Sequence, residues 1–263
     1  MTTLSITSRV LRSSRPATTV WALALAAVTA MYIAFYPSVG SLKMEGMVKA
    51  LPEAMVKGLG YDQIATAAGY LNSTVYSLLG MVLLSVYAIG TGARLIGASE
   101  ESGALELEFA APVTRRQIYL QRLLALVTGV TALAVVVGLV ALLLVALLDL
   151  DVQPVNLLAG TVGLWLWSLL VGVTALAVGA VTGRRGAAVA VGSAVAVVSF
   201  MLNAIGPATN TAWMTTISPF SWYVAAHPLA NGFDWAGLGK LALVGALVAV
   251  LGLRVFRRRD LMV

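Results

Sequence analysis

The chain has 263 residues, of which 60% are hydrophobic and 11% charged, with a mean hydropathy of +0.93. Soluble domains carry about 25% charge, so the composition excludes a water-soluble globule and describes a polytopic membrane protein with little room for a soluble domain. A net charge of +6 would suggest nucleic acid in a soluble protein, but here its distribution matters more; the absence of cysteine excludes thiol catalysis, disulfides and thiolate metal sites.

Residues 1–18 carry Arg9, Arg12 and Arg15 and no acid. Leu4, Val10 and Leu11 can form an apolar stripe on a short interfacial helix ended near Pro16, with an unstructured tail as the competing reading. Trp21–Tyr36 is the first span. A basic start and an apolar run also resemble a signal peptide, but more membrane follows and no exported domain, so the span is read as retained. Residues 37–73 form a longer outer loop. Met44, Met47, Val48, Leu51, Met55 and Val56 recur there at helical spacing, with Lys43, Lys49, Glu53 and Lys57 among the intervening positions. This predicts one or two amphipathic interfacial helices broken at Pro52. Neither His nor Cys accompanies the methionines, so the stripe reads as packing surface before soft-metal site.

The remaining spans read as Thr74–Ile96, Leu123–Leu148, Leu157–Thr182, Ala187–Ile205 and Trp235–Phe256. Each is near or above the ~20 residues that cross ~30 Å of hydrocarbon. Between the second and third lies Ser99–Arg122, which holds four of the eleven acidic residues and three of the seventeen basic ones. So much charge cannot sit in hydrocarbon, and the stretch must lie on one membrane face. Ser99 reads as a helix N-cap, with Glu100 and Glu101 in the first turn. Leu105 and Phe109, four apart, share one helical side. Ala110, Ala111 and Pro112 interrupt the pattern. Thr114 with Gln117 three later reads as a capping box. Arg115 and Arg116 then fall in the first turn of the next helix, where positive charge opposes the dipole by ~0.3–1 kcal/mol each. Lipid phosphates, the upstream glutamates or a partner's carboxylates would favour them there. An ordinary positive-inside anchor is the alternative.

Asp149 and Asp151 occupy a short outer turn and read as an exposed polar turn before a cation site. The Gly183-Arg-Arg-Gly186 segment permits a tight reversal between the fourth and fifth spans. Gly179 with Gly183, and Ala188 with Gly192, are small-xxx-small pairs that allow close helix approach, within one chain or between two. Residues 206–234 form a second outer segment containing Pro207, Trp213, Pro219, Trp222, Tyr223, His227 and Pro228. Its aromatics favour the headgroup region, and His227 reads as an interfacial side chain before a ligand or proton carrier.

Charge sets the orientation. The termini, the central loop and the turn at 183–186 hold 13 basic residues: Arg9, Arg12, Arg15, Arg94, Arg115, Arg116, Arg122, Arg184, Arg185, Arg254, Arg257, Arg258 and Arg259. The opposite face holds Lys43, Lys49, Lys57 and Lys240. The positive-inside rule therefore predicts cytoplasmic termini and a cytoplasmic central loop.

The predicted spans have no acidic residue in their interiors, whereas proton-coupled carriers generally need such groups. A phosphate-cradling loop needs Gly-x-x-x-x-Gly-Lys-Ser/Thr. The only Gly-Lys pair, Gly239-Lys240, is followed by Leu241, and Asp234 stands where the first glycine should be. His-Glu-x-x-His and Gly-x-Ser-x-Gly are absent. No catalytic, cofactor-binding or metal-binding residue is assigned to this chain. If it moves cargo uphill, another chain must supply the energy.

Glu101-Ser-Gly-Ala-Leu-Glu106, followed by Pro112-Val-Thr-Arg115-Arg116 leading into an apolar span, resembles the intracellular loop of ATP-binding-cassette (ABC) permeases of the type-2 export family. The family pattern is Glu-x-Gly-Thr-Leu-Glu, then Pro-(Val/Ile)-Ser-Arg; Ala104 and Thr114 depart from it. The position between the second and third spans and the ending Phe256-Arg-Arg-Arg259-Asp260-Leu261 extend the resemblance over essentially the whole chain. It implies an all-α integral membrane protein: a single permease domain over 1–263 with six transmembrane helices and both termini cytoplasmic. A cytoplasmic coupling loop would span 98–122, and the outer loop 206–234 would hold a pair of re-entrant helices. It further implies a multi-pass subunit of the inner (cytoplasmic) membrane that exports drugs, antibiotics or other amphipathic compounds. Its partners would be two cytosolic ATPase subunits, which carry the ATP and Mg, a second copy or homologous permease, and membrane lipids, with no nucleic acid. On this reading Glu100, Glu101, Gly103, Glu106 and Pro112 set the docking geometry, Leu105 and Phe109 make the apolar contact, and Arg115 and Arg116 anchor the third span. A proton-coupled carrier and a non-transporting membrane scaffold are the alternatives.

Overall fold

The computed structural model describes residues 5–39, 56, 64, 66–105, 113–209 and 211–259. Among these the secondary structure is helical, with no strand. The helices are α1 (Ser5–Val39), α2 (Ala67–Glu101), α3 (Arg115–Leu147), α4 (Pro154–Thr182), α5 (Arg185–Ala208), α6 (Ala212–Ile217), α7 (Pro219–Val224), α8 (Pro228–Asn231) and α9 (Trp235–Arg258). Six of them, α1 to α5 and α9, are long and apolar enough to cross a membrane. The six-span all-α architecture expected from the sequence is the one observed. The methionine stripe at 44–55 and the break at Pro52 lie outside the described residues.

α4 is the axis of the bundle. It packs against α2, α3, α5 and α9, and 72% of its most apolar window is buried, against 17% for α1 and α5. Trp167, fully buried on α4, donates its indole N–H to Ser85 Oγ on α2 at 3.0 Å, so a polar atom in the core is matched where α2 and α4 meet. The outer helices instead present Val20, Leu23, Leu139, Leu143, Leu243 and Leu251 outward. In water such a surface would be a liability, whereas in a bilayer it meets lipid tails.

The helices overrun the expected spans at several ends. α1 does not stop near Pro16 but runs through it for 35 residues, about 52 Å at 1.5 Å per residue. Proline there removes one hydrogen bond, at an exposed position, while packing of Ile6, Thr7 and Ser14 keeps the segment helical. The first turn is held from outside: Gln121 Oε1 on α3 accepts the backbone N–H groups of Ile6 (3.0 Å) and Thr7 (3.3 Å). α2 likewise begins at Ala67, capped by Thr66, and departs from α geometry into π turns over Asn72–Gly80 and Arg94–Ala98.

Residues 211–234 re-enter the bundle as the composition permits. Ser218, between α6 and α7, is fully buried and donates to Ser199 O on α5 at 2.7 Å. Ser199 lies nine residues before the end of α5, so this turn sits about 14 Å below the helix end. Phe220 on α7 stacks edge-on against Trp167, with centroids 5.4 Å apart. Ser218 also caps α7 by accepting from Ser221 N, which answers the cost of placing non-helical backbone at depth. His227 serves the backbone: its carbonyl accepts from Ala230 and Asn231 at the start of α8.

Candidate functional site

The charged stretch begins where α2 ends, beside Arg259, which follows α9, and the α4–α5 turn. The π turn at Arg94–Ala98 shifts the hydrogen-bond register of α2, and carbonyls there look for other donors. Ser99 Oγ turns back to Arg94 O and Leu95 O, both at 3.3 Å. Arg122 Nη1 on α3, in a residue only 2% exposed, also donates to Leu95 O.

This corrects one expectation. Ser99 is not an N-cap: its backbone is right-handed helical (φ −70°, ψ −29°), and the helix reaches it from upstream. A continuing helix has no orphan N–H groups for a hydroxyl to accept. Glu100 and Glu101 therefore stand at the C-terminal end of a helix, where the dipole disfavours carboxylates. Both find compensation within the chain. Glu100 Oε1 pairs with Arg259 Nη2, the two side chains being 9% and 16% exposed. Glu101 Oε1 accepts the N–H of Arg185 at 3.0 Å, the first residue of α5, where a carboxylate suits the positive end of the dipole.

Arg259 is the hub of this cluster. Besides Glu100 it donates from Nη1 to Ala180 O, in the last turn of α4, at 3.0 Å. Its own carbonyl accepts from Arg115 Nη1. Burial lowers the guanidinium pKa from its ordinary value, the cost of taking a cation out of water. Two glycines shape the site. Gly183 (φ +68°) ends α4 in the left-handed conformation, and a Cβ there would lie 2.6 Å from Glu100 Oε1 and 2.7 Å from Arg259 Nη2. Gly103 (φ +70°) turns the chain after α2, its N–H donating to Glu100 O at 3.0 Å. The reversal between α4 and α5 is completed by Gly183 and Arg184; Gly186 already belongs to α5.

The structure thus gathers Glu100, Glu101, Gly103 and Arg115 around the end of α2, with Leu105 buried nearby at 1% exposure. Thr114 and Gln117 form the expected reciprocal capping box that starts α3. Arg116 is exposed in the same turn. Glu106, Phe109 and Pro112 lie outside the described residues. Sequence reasoning did not select Arg259, Arg122 or Gly183 as site residues. Gly183 had a local signal as a turn glycine, but Glu100 and Arg259 lie 159 positions apart, and no spacing pairs them.

Away from this cluster, an open groove of about 330 Å³ runs between α2 and α5, lined in part by Val82, Ser85, Val86, Ser193, Val197 and Met201. Its wall is almost wholly apolar and includes no charged side chain.

Six apolar spans packed about α4, with a re-entrant helix pair at one end and a knot of charge at the other, define an integral membrane protein of the multi-pass class. A model of the family described as "Multidrug efflux system permease Rv1217c, C-terminal domain" matches residues 7–257, and the chain belongs to that family. It is therefore a permease. No curated protein matches it as a relative.

Proposed function

We propose that this permease is the transmembrane subunit of an ATP-driven exporter of the ABC type-2 class, worked from the cytoplasm through residues 98–122 by separate ATPase subunits. Membership of a multidrug efflux permease family carries the reading, because efflux against a gradient needs energy and this sequence has no phosphate-binding loop. The end of α2 supports it mechanically. Glu100 and Glu101 tie that end to α4, α5 and the segment after α9, so a push on the charged stretch would reach several spans together.

On this reading both termini are cytoplasmic, in agreement with the 13-to-4 split of basic residues. Two ATPase subunits carry the ATP and Mg, and a second permease copy or homologue completes the route. Gly103 and the stretch 106–112 belong to the docking segment, Leu105 is buried in the permease's own core and does not face a partner, and Arg115 and Arg116 anchor α3. The apolar groove between α2 and α5 suits drugs, antibiotics or other amphipathic compounds, which shed little hydration on entering it.

The test is purification of the tagged chain from its native membranes, followed by reconstitution into vesicles. Co-purification of an ATPase whose hydrolysis rises with added drug is the expected result. Drug accumulation driven by a proton gradient in vesicles without ATP would overturn the proposal.

A further inference from the structure

The Glu100–Arg259 pair does more than neutralise two charges. One guanidinium joins the last turn of α2, through Glu100, to the last turn of α4, through Ala180 O, and it belongs to the residue that follows α9. The Arg259 carbonyl meanwhile accepts from Arg115 at the start of α3. Four spans meet at one residue. Gly183 keeps the space open, since any Cβ at that position would collide with both partners. The second carboxylate oxygen, Glu100 Oε2, is buried and has no hydrogen-bond partner among the described residues. Arg259 is thus the carboxylate's principal compensation at the unfavourable end of a helix dipole. Pulling the two apart inside the bundle would strand a buried charge, so the end of α2 and the end of α9 must travel together.

We infer that Glu100 and Arg259 are positioning residues, a rigid joint that transmits movement of the charged segment after α2 to the ends of α4 and α9. The inference deepens the proposed function: Glu100 works inside the permease and not as a contact to an ATPase. Glu101, whose Oε1 takes the first N–H of α5, extends the same joint to the neighbouring span.

Because the chain has no cysteine, the joint can be cut and rebuilt chemically. In the native cells, the full-length chain is replaced by the double variant Glu100→Cys/Arg259→Cys, and ethidium extrusion is followed by fluorescence. We expect extrusion to fall about tenfold or more with the thiols free. It should recover when a short bifunctional thiol reagent links them, because a covalent tie replaces the ionic one. Arg259→Lys, which keeps the ion pair but not the guanidinium fork, should lie between the wild-type chain and Arg259→Gln. Melting temperature in detergent is measured alongside. Recovery of melting temperature on cross-linking without recovery of extrusion would reduce the pair to a structural strut and overturn the inference. So would loss of extrusion on cross-linking a variant that was active with free thiols, since the joint would then have to open. The energy source is read separately, by depleting ATP or collapsing the proton gradient. Extrusion driven by the gradient sinks the ATPase reading, while the cross-link result still decides the joint.

Discussion

Gly92 on α2 and Gly172 on α4 meet backbone to backbone: a Cβ on Gly92 would lie 2.2 Å from Gly172 O. In a bilayer, helices associate through close packing and not through exclusion of water, so this contact sets how deeply α2 can seat on the central helix. Gly90, two residues away on the other side of the helix, faces open space. Gly92→Ala should therefore force the two helices apart and destabilise the bundle by about 1–3 kcal/mol. Gly90→Ala should be neutral or stabilising by up to about 1 kcal/mol, through helix propensity alone. Unfolding titrations in mixed detergent, followed by tryptophan fluorescence, distinguish the two variants.

Gln121 holds the start of α1 from a helix 115 residues away, and Ile6 and Thr7 are buried there at 8% and 5% exposure. Gln121→Leu leaves both N–H groups without their acceptor and should cost about 1–3 kcal/mol. Gln121→Glu keeps an acceptor and adds a negative charge at the positive end of α1, so it should match or exceed the wild-type stability. Amide hydrogen exchange over residues 5–10 is the direct measurement: fast in the leucine variant, protected in the glutamate variant.

Ser218 and Tyr223 fasten the re-entrant pair to the bundle by different means. Tyr223 Oη donates once, to Tyr76 O in the π turn of α2, at 3.1 Å. Ser218 Oγ both donates to Ser199 O and caps α7. Tyr223→Phe keeps the ring against Phe220 and should cost about 0.5–1.5 kcal/mol. Ser218→Ala loses the cap as well, worth about 1 kcal/mol, and should be the more damaging change. Thermal denaturation of the two purified variants checks the order, and a larger loss for Tyr223→Phe would contradict it.

What the sequence made legible follows the range of each interaction. Six spans were readable because hydropathy acts residue by residue, and the Thr114–Gln117 box because its partners are three apart. Ser99 misled for the same reason. A hydroxyl followed by two carboxylates matches a helix start locally, yet the direction from which the helix arrives is fixed upstream, by the π turn at Arg94–Ala98. Pro16 misled because the break it makes in the ladder is visible locally, whereas the packing of α1 on α3 that offsets it is not. The small-xxx-small pairs did mark close approaches, and the structure supplies intrachain neighbours: Gly97 for Gly179, and Ala175 and Ile89 for Gly192. The Glu100–Arg259 pair and the Gln121 brace join residues more than a hundred positions apart, and no periodicity announces either.

Arg122 is a buried cation that donates to a backbone carbonyl. Its Nη1 donates to Leu95 O, inside the π turn just before the charged segment. A charge-assisted bond of this kind contributes about 1.5–3 kcal/mol. Arg122→Met retains apolar bulk and loses the donor. Arg122→Lys retains the charge without the planar fork and should recover only part of the loss. The effect should be local: exchange of the amides over residues 94–101 should accelerate, while the helical amides around Trp167 and Ser85, where the indole–hydroxyl bond ties α4 to α2 without Arg122, stay protected. Uniform acceleration along all six spans would instead make Arg122 a support of the whole bundle and contradict a local role at the end of α2.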